Sequence, residues 1–426
     1  MKQWILPNLS LDLSHLWTHP GGPRLTGEEG ALSQRVWKAF RHRSVTEEIG
    51  FFDLPETTPE AAPKEWAVTA HRLRSSFDGA IIVGIGGSYL GPQTLLESLR
   101  VATDQEDFPI LWVTQPDPER IHILQRLALE KRYALVVISK SGNTTETLSA
   151  FFNLSQSVNA QGYLIITDPE KGALREMARR EGWSTFSVPP DVGGRFSVLT
   201  SVGLFPAELA KISSQRILTG ARRMREAILN STPDECPAFW LALSHFRWDT
   251  EFRRNIHYLM PYRQTLKSLA EWHTQLFAES LGKIDRTGKA VGFTPVAALG
   301  PSDQHSILQM LRQGPRDKMV GFIDTPVKAS TVVGMPSFSP GEAAYLTKTT
   351  FEQLNHLACR STELSLQNGG MPTYRLALEG LSPEALGSAF FFFETVCALA
   401  GELYDVDAFG QPGVEEGKRL LKEALI

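Results

Sequence analysis

Residues 265–281 form a helix-patterned stretch that carries Glu271, Gln275 and Glu279 at i, i+4 and i+8, opposite an apolar face of Leu266, Leu269, Leu276 and Phe277. A polar stripe of this kind is ordinarily a solvated face. Glu279 departs from that reading. Gly282 is placed to end the helix, so Glu279 falls in the last turn, at the negative end of the helix dipole. That placement disfavours a carboxylate and suits a general base that must exchange a proton near neutral pH. Arg195 follows two glycines in the run 192–198, on exposed, close-approach backbone suited to stabilising a developing oxyanion. Taken alone, it reads as a surface arginine in a loop. His305 follows a strand expected over 295–299 and stands near a helix start, a position suited to acid–base work. Lys418, in the run 409–418, reads from its neighbours only as part of a capped helix.

Two turns could hold an anion. In Ala134-Leu-Val-Val-Ile138 an apolar run reads as a strand buried on both faces. It passes into the hydroxyl-rich turn Ser139, Lys140, Ser141, Gly142, Asn143, Thr144, Thr145, and then into a helix up to Phe152. Asn143 with Glu146 three residues on fits a capping box. Backbone N–H groups and the positive end of a helix dipole at such a turn favour an anion, and Lys140 adds a charge. The other turn, Gly84-Ile-Gly-Gly-Ser-Tyr-Leu-Gly-Pro92, also follows a buried strand and opens a helix. Tyr89 stands where a dinucleotide fingerprint needs its third glycine, and the Gly-Lys-Ser/Thr of a P-loop is missing. A single phosphate bound without nucleotide machinery fits better, with Ser88 as a donor.

The elements that must position these groups alternate. Strands are expected at 80–84, 110–114, 134–138, 163–167 and 185–188, with helices near 92–100, 118–129, 144–159 and 170–181. A helical connector around 203–230 follows. Strands then recur at 256–260, 295–299, 319–323 and 373–378, separated by helices near 265–281, 303–313, 341–366 and 383–403, with a last helix over 412–424. Alternation of this kind implies an α/β protein of two tandem doubly wound parallel-sheet domains. We expect an N-terminal arm over 1–64, domains over 65–215 and 216–404, and a C-terminal helical segment over 405–426. The arm carries no catalytic constellation.

With 426 residues, two domains are the expectation; 42% hydrophobic and 21% charged residues suit a soluble globular chain. A formal charge of −4 gives no reason to expect nucleic acid as a partner. Cys236, Cys359 and Cys397 are scattered, which argues against a disulfide framework and a CxxC metal site. The N-terminus lacks the sustained apolar core of a signal peptide. The most apolar helix candidate, 389–400, is interrupted by Glu394 and too short to span a bilayer. These points together lead us to expect a cytoplasmic protein with no membrane partner.

Over residues 65–426 these blocks, in order, resemble the glucose-6-phosphate isomerase family, whose two halves are sugar-isomerase (SIS-type) domains. Gly84 to Pro92, Gly193-Gly-Arg-Phe-Ser-Val198 and Gly410-Gln-Pro-Gly-Val-Glu-Glu-Gly-Lys418 carry the resemblance most specifically. It implies that Gly87, Ser88, Ser139, Lys140, Ser141 and Thr144 hold a sugar phosphate. It also implies that Glu279 moves a proton between C1 and C2 through a cis-enediol, and that Arg195 stabilises its charge. Lys418 and His305 would assist ring opening, and Gln275 and Gln411 would contact substrate. The resemblance implies a homodimer in which the histidine enters the neighbouring subunit's site, and a reaction with no metal or cofactor. The chain is similar to the compact bacterial type. It departs from the common pattern at Ser141-Gly142, where many members have Thr-Phe, and at Leu281, where Asn is common. The Ser-Gly-Asn-Thr variant is shared with relatives that also accept mannose 6-phosphate, whereas Gln275 leans towards the glucose/fructose enzyme. A non-catalytic sugar-phosphate sensor would lack Glu279, His305 and Lys418. A sugar-isomerising amidotransferase would need an N-terminal nucleophilic cysteine, and the first cysteine is Cys236.

Overall fold

The chain opens with a hairpin, β1 (Gln3–Leu6) and β2 (Leu9–Asp12), turning at Asn8 with φ 65°. The computed structural model describes residues 2–46, 49–100, 108–325 and 331–425. Two compact units result: His42–Arg225, and Met1–Arg41 together with Glu226–Ile426. The residues expected to form an arm therefore divide between the units, and the first unit ends at Arg225 rather than at 215. Leu9 and Leu11 are buried while Ser10 and Asp12 are partly exposed, the period-2 pattern of a half-buried strand.

In the unit His42–Arg225, strands β3 (Gly79–Val83), β4 (Ile110–Val113), β5 (Tyr133–Ser139), β6 (Tyr163–Thr167) and β7 (Ser184–Ser187) are all parallel, in the order β4-β3-β5-β6-β7. Every residue of β3, β5 and β6 is buried, so these strands are continuous apolar runs, and their pairing registers expose the ends of β3 and β5 side by side. Ile81, Leu135, Val137 and Ile165 pack with Phe151, Leu154 and Leu174 from the helices Thr145–Leu154 and Ala173–Glu181. The expected connector is two helices, Ser201–Leu209 and Ser214–Asn230, separated where Lys211 adopts φ 58°.

The other unit is built on β8 (Ile256–Pro261), the short antiparallel pair β9 (Lys283–Ile284) and β10 (Ala290–Val291), β11 (Thr294–Ala297), β12 (Lys318–Asp324) and β13 (Thr373–Leu378). Its main sheet runs β1-β2-β13-β12-β8-β11, with β8, β11, β12 and β13 parallel and β2 antiparallel on β13. The hairpin thus extends a parallel sheet by two antiparallel strands.

The helix Pro383–Tyr404 packs against the helices Pro237–Thr250 and Lys267–Leu281. Its 22 residues are long and apolar enough to cross a membrane, which corrects the shorter span expected from 389–400. Within this unit, 89% of its most apolar window is buried, so the apolar surface already has protein for a solvent.

Candidate active site

In the unit His42–Arg225 the anion turns lie at the carboxyl ends of β3 and β5, adjacent strands whose helical connections lead away in opposite directions. In an open α/β sheet that reversal opens a ligand crevice. Gly86 has φ 57°, which lets the chain turn directly out of β3. Gly87 answers to a different constraint: a Cβ there would lie 2.2 Å from the Gly194 carbonyl oxygen and 2.9 Å from the Arg195 nitrogen. The glycine therefore brings the 84–88 loop directly against the loop that carries Arg195. Arg195 itself is 1% exposed, which corrects its expected place on exposed backbone; the guanidinium stands 5.4 Å from the Phe196 ring centroid.

On the neighbouring strand, the Ser139 and Thr144 hydroxyls share a hydrogen bond of 2.9 Å, and Ser141 Oγ accepts from the Asn143 N–H at 3.2 Å. Gly142 is buried at φ 67°, with Thr167 Oγ1 2.9 Å from where its Cβ would be. The expected Asn143–Glu146 capping box does not form: the helix Thr145–Leu154 has Thr144 as its N-cap residue. Asn143 Oδ1 instead accepts from Ala173 N–H at 2.9 Å, in the first turn of the helix Ala173–Glu181, whose own N-cap residue is Gly172. Lys140 donates to the Pro190 carbonyl at 2.9 Å. Burial pushes its ammonium below the ordinary lysine range, Asp168 and Asp191 act against that, and the nearby Arg195 adds to it. Two cations and several hydroxyl and amide donors at one sheet end favour an anion.

The other unit gathers a second group. The helix Lys267–Leu281 ends at Gly282, leaving Glu279 in its last turn. Gln275, one turn earlier, donates from Nε2 to Glu279 Oε1 at 2.9 Å, while Gln411 donates to Oε2. Both carboxylate oxygens are thereby oriented by neutral amides. Glu279 and Gln411 line a cleft of about 710 Å³ together with Lys283, Val291 and Asp407. Sequence reasoning passed over Lys283, whose ammonium donates to the carbonyls of Asp407 and Gly410. Asp407 in turn accepts from the Phe409 and Gly410 N–H groups. These bonds hold the Gln411 turn against the end of the Glu279 helix. The signal was a lysine directly after the helix-ending glycine.

His305 lies exposed in the first turn of the helix Gln304–Gln313. Its loop is anchored through Gln304, whose Oε1 accepts from the Tyr262 and Thr362 hydroxyls at 2.9 Å each. Lys418 sits on the exposed helix Glu415–Ala424 and pairs with Glu415 at 2.7 Å. Within this unit, then, Gln275, Glu279 and Gln411 come together, and neither His305 nor Lys418 is among the residues that line the Glu279 cleft.

A family model described as phosphoglucose isomerase matches residues 65–425. The chain belongs to the phosphoglucose isomerase family. It is 38% identical to the glucose-6-phosphate isomerase of Carboxydothermus hydrogenoformans, over 89% of this chain and 86% of that one. It is 34% identical to that of Thermus thermophilus, over 95% and 97%. Among solved structures, a hypothetical protein of Thermus thermophilus superposes with a TM-score of 0.88 at 32% identity, covering 98% of this chain and 99% of that one. The glucose-6-phosphate isomerase of Chlamydia trachomatis shares the fold at a TM-score of 0.83 and 20% identity, covering 100% of this chain and 89% of its own. Family membership makes this chain an aldose–ketose isomerase with SIS-type architecture.

Proposed function

We propose that the chain interconverts glucose 6-phosphate and fructose 6-phosphate by moving one proton between C2 and C1 through a cis-enediol. The observation that carries this reading is the Glu279 carboxylate, held on both oxygens by Gln275 and Gln411 at the wall of a 710 Å³ cleft. Amide donors orient a carboxylate without neutralising it, which suits a base that removes a proton from one carbon and returns it to the next. Ser88, Ser139, Ser141 and Thr144, with the Gly87 backbone and Lys140, take the phosphate. Arg195 offsets the negative charge that develops on the enediol oxygens. His305 and Lys418 move the ring-opening proton. Each step conserves charge with protein groups alone.

We also propose a cytoplasmic homodimer with His305 serving the partner's site. The exposed side chains of Val332, Met335, Phe338, Tyr345, Phe351, Leu354, Leu357 and Leu364 support a dimer, since so many large apolar groups in one stretch mark an interface. The three cysteines are buried and form no disulfide with one another, in keeping with a reducing compartment.

Dual activity on mannose 6-phosphate is the second reading, favoured by Gly142-Asn143 in the phosphate turn. Assaying purified protein in EDTA with fructose 6-phosphate as substrate, following glucose 6-phosphate and mannose 6-phosphate in parallel, tests both. We expect glucose 6-phosphate as the main product; no turnover would overturn the assignment, and comparable mannose 6-phosphate would establish the second reading.

A further inference from the structure

Among the described residues that line the Glu279 cleft, Lys283 is the one cation, and the isomerisation steps give it no part. Its backbone is fixed independently of its side chain. Lys283 pairs with Val291 in the hairpin β9–β10, whose turn is tied where Asp285 Oδ1 accepts from the Thr287 and Lys289 N–H groups at 2.9 Å each. The side chain is half-buried, and its ammonium donates to the carbonyls of Asp407 and Gly410, the latter at 2.9 Å. Those carbonyls belong to the turn that delivers Gln411, whose amide donates to Glu279 Oε2.

The other contacts of that turn do different work. Asp407 closes it locally, by accepting from the Phe409 and Gly410 N–H groups. Ala408 is fully buried and seats it on the helix Pro383–Tyr404, 2.8 Å from where a Cβ of Gly401 would be. Arg286 reaches Asp405 at 3.1 Å, but both side chains are exposed, and such a pair contributes little. Lys283 differs from these because it comes directly after Gly282, the residue that ends the Glu279 helix. An ammonium carries three donors and no acceptor, so it can gather two carbonyls at one point. Hydrogen bonds from a charged donor are also about twice as strong as neutral ones. Without the ammonium, two carbonyls would face a cleft walled by Ile284, Val291 and Val414. Leaving acceptors in that state is costly, so the turn would shift to reach water.

We propose that Lys283 is a positioning residue for the isomerisation: by holding the Asp407 and Gly410 carbonyls it sets the Gln411 amide, and through it the Glu279 carboxylate, in the orientation that proton transfer needs. This role rests on the isomerase reading, with Glu279 as the base. Gln275 holds Oε1 from within the same helix, one turn away. Oε2 depends instead on a residue 132 positions further along the chain, and Lys283 is the link between the two segments. A misplacement of about 1 Å can cost about 10²-fold in rate, so a side chain that touches no reacting atom can still govern turnover.

Steady-state kinetics of the full chain on fructose 6-phosphate test the proposal. Lys283→Met keeps the aliphatic stem and removes the ammonium; kcat should fall roughly ten- to a hundredfold, with KM nearly unchanged. Lys283→Arg should recover part of the loss, because a guanidinium fork can also span two carbonyls. A double-mutant cycle decides the route of the effect. In a Gln411→Leu background the amide is already gone, and Lys283→Met should then cost less than about threefold more. Wild-type kcat in Lys283→Met, or an equal loss in both backgrounds, would overturn the positioning role and leave the isomerase reading intact. No turnover in the wild type would overturn that reading and the role built on it. Lys283→Gln, which keeps an amide donor, repeats the cycle if Lys283→Met folds poorly, with urea midpoints measured for every variant.

Discussion

At the scale of single residues, the chemistry rests on how neutral neighbours orient charged ones. Glu279 accepts from an amide on each oxygen, so Glu279→Gln keeps the shape and one of the two acceptors while removing the base. Turnover of fructose 6-phosphate should fall ~10²–10⁴-fold or more with sugar-phosphate binding largely retained, measured by steady-state kinetics beside calorimetric titration. Activity near wild type would remove Glu279 from its role. The residue types of this site were legible in the sequence because they recur in family order, and the position of Glu279 followed from Gly282 alone. The partners were less legible. Asn143 stands three residues before Glu146, a local pattern that fits a cap, yet its side chain reaches another helix thirty residues on. Arg195 follows two glycines, which suggested an exposed loop. The glycine that mattered was Gly87, whose missing Cβ lets a distant loop close over the arginine backbone. Long-range contacts of this kind leave no mark in a local window.

At the scale of elements, strands and helices with one clear period were readable, and those without one were not. The helix Pro237–Thr250 is buried on nearly every side, so it shows no amphipathic stripe and was not anticipated. The hairpin β1–β2 is short, and its pattern becomes convincing only once β13 is there to pair with it. The helix Pro383–Tyr404 makes the sharpest prediction at this scale. Phe390 meets Trp272 edge-on at 4.7 Å, and Cys397 Sγ lies 3.6 Å from the Leu276 carbonyl. Glu394, four residues after Phe390 and three before Cys397, shares the face turned to the helix that bears Glu279. It is fully buried, neither carboxylate oxygen has a hydrogen-bond partner among the described residues, and burial pushes its carboxyl well above the ordinary glutamate value of 4.5. A carboxyl whose folded pKa is raised gives its full contribution below the unfolded value and loses it as pH climbs towards the folded one. Stability should therefore decline above pH 4.5. Glu394→Gln abolishes that titration, and should be more stable than wild type at pH 7 while matching it near pH 4. Urea denaturation at both pH values reads this directly, and a difference that does not change with pH would refute it.

At the scale of the whole molecule, the chain builds one unit from its middle and the other from both ends, so the hairpin and the residues from 226 onward must meet before that unit can complete its sheet. That unit also carries the apolar stretch left uncovered. On the helix Phe351–Asn368, Leu354, Leu357 and Leu364 are exposed and fall, with Ser361, at alternating spacings of three and four, the seam that one helix offers to another. A second copy of the chain is the simplest cover, because a two-fold axis lets the same seam serve both sides. Leu357→Glu with Leu364→Glu places two charges on that seam and should yield a monomer by light scattering after gel filtration. A dimer that persists would exclude this face as the interface. The proposed sharing of His305 requires a separate measurement. His305→Ala and Glu279→Gln chains, each defective alone, are co-expressed in equal amounts. Random pairing makes half of the dimers mixed, and each mixed dimer has one site with both residues intact, so about a quarter of wild-type activity should return. If His305 serves its own chain's site, no pairing rebuilds an intact one, and the mixture will show no more than the average of its two parents.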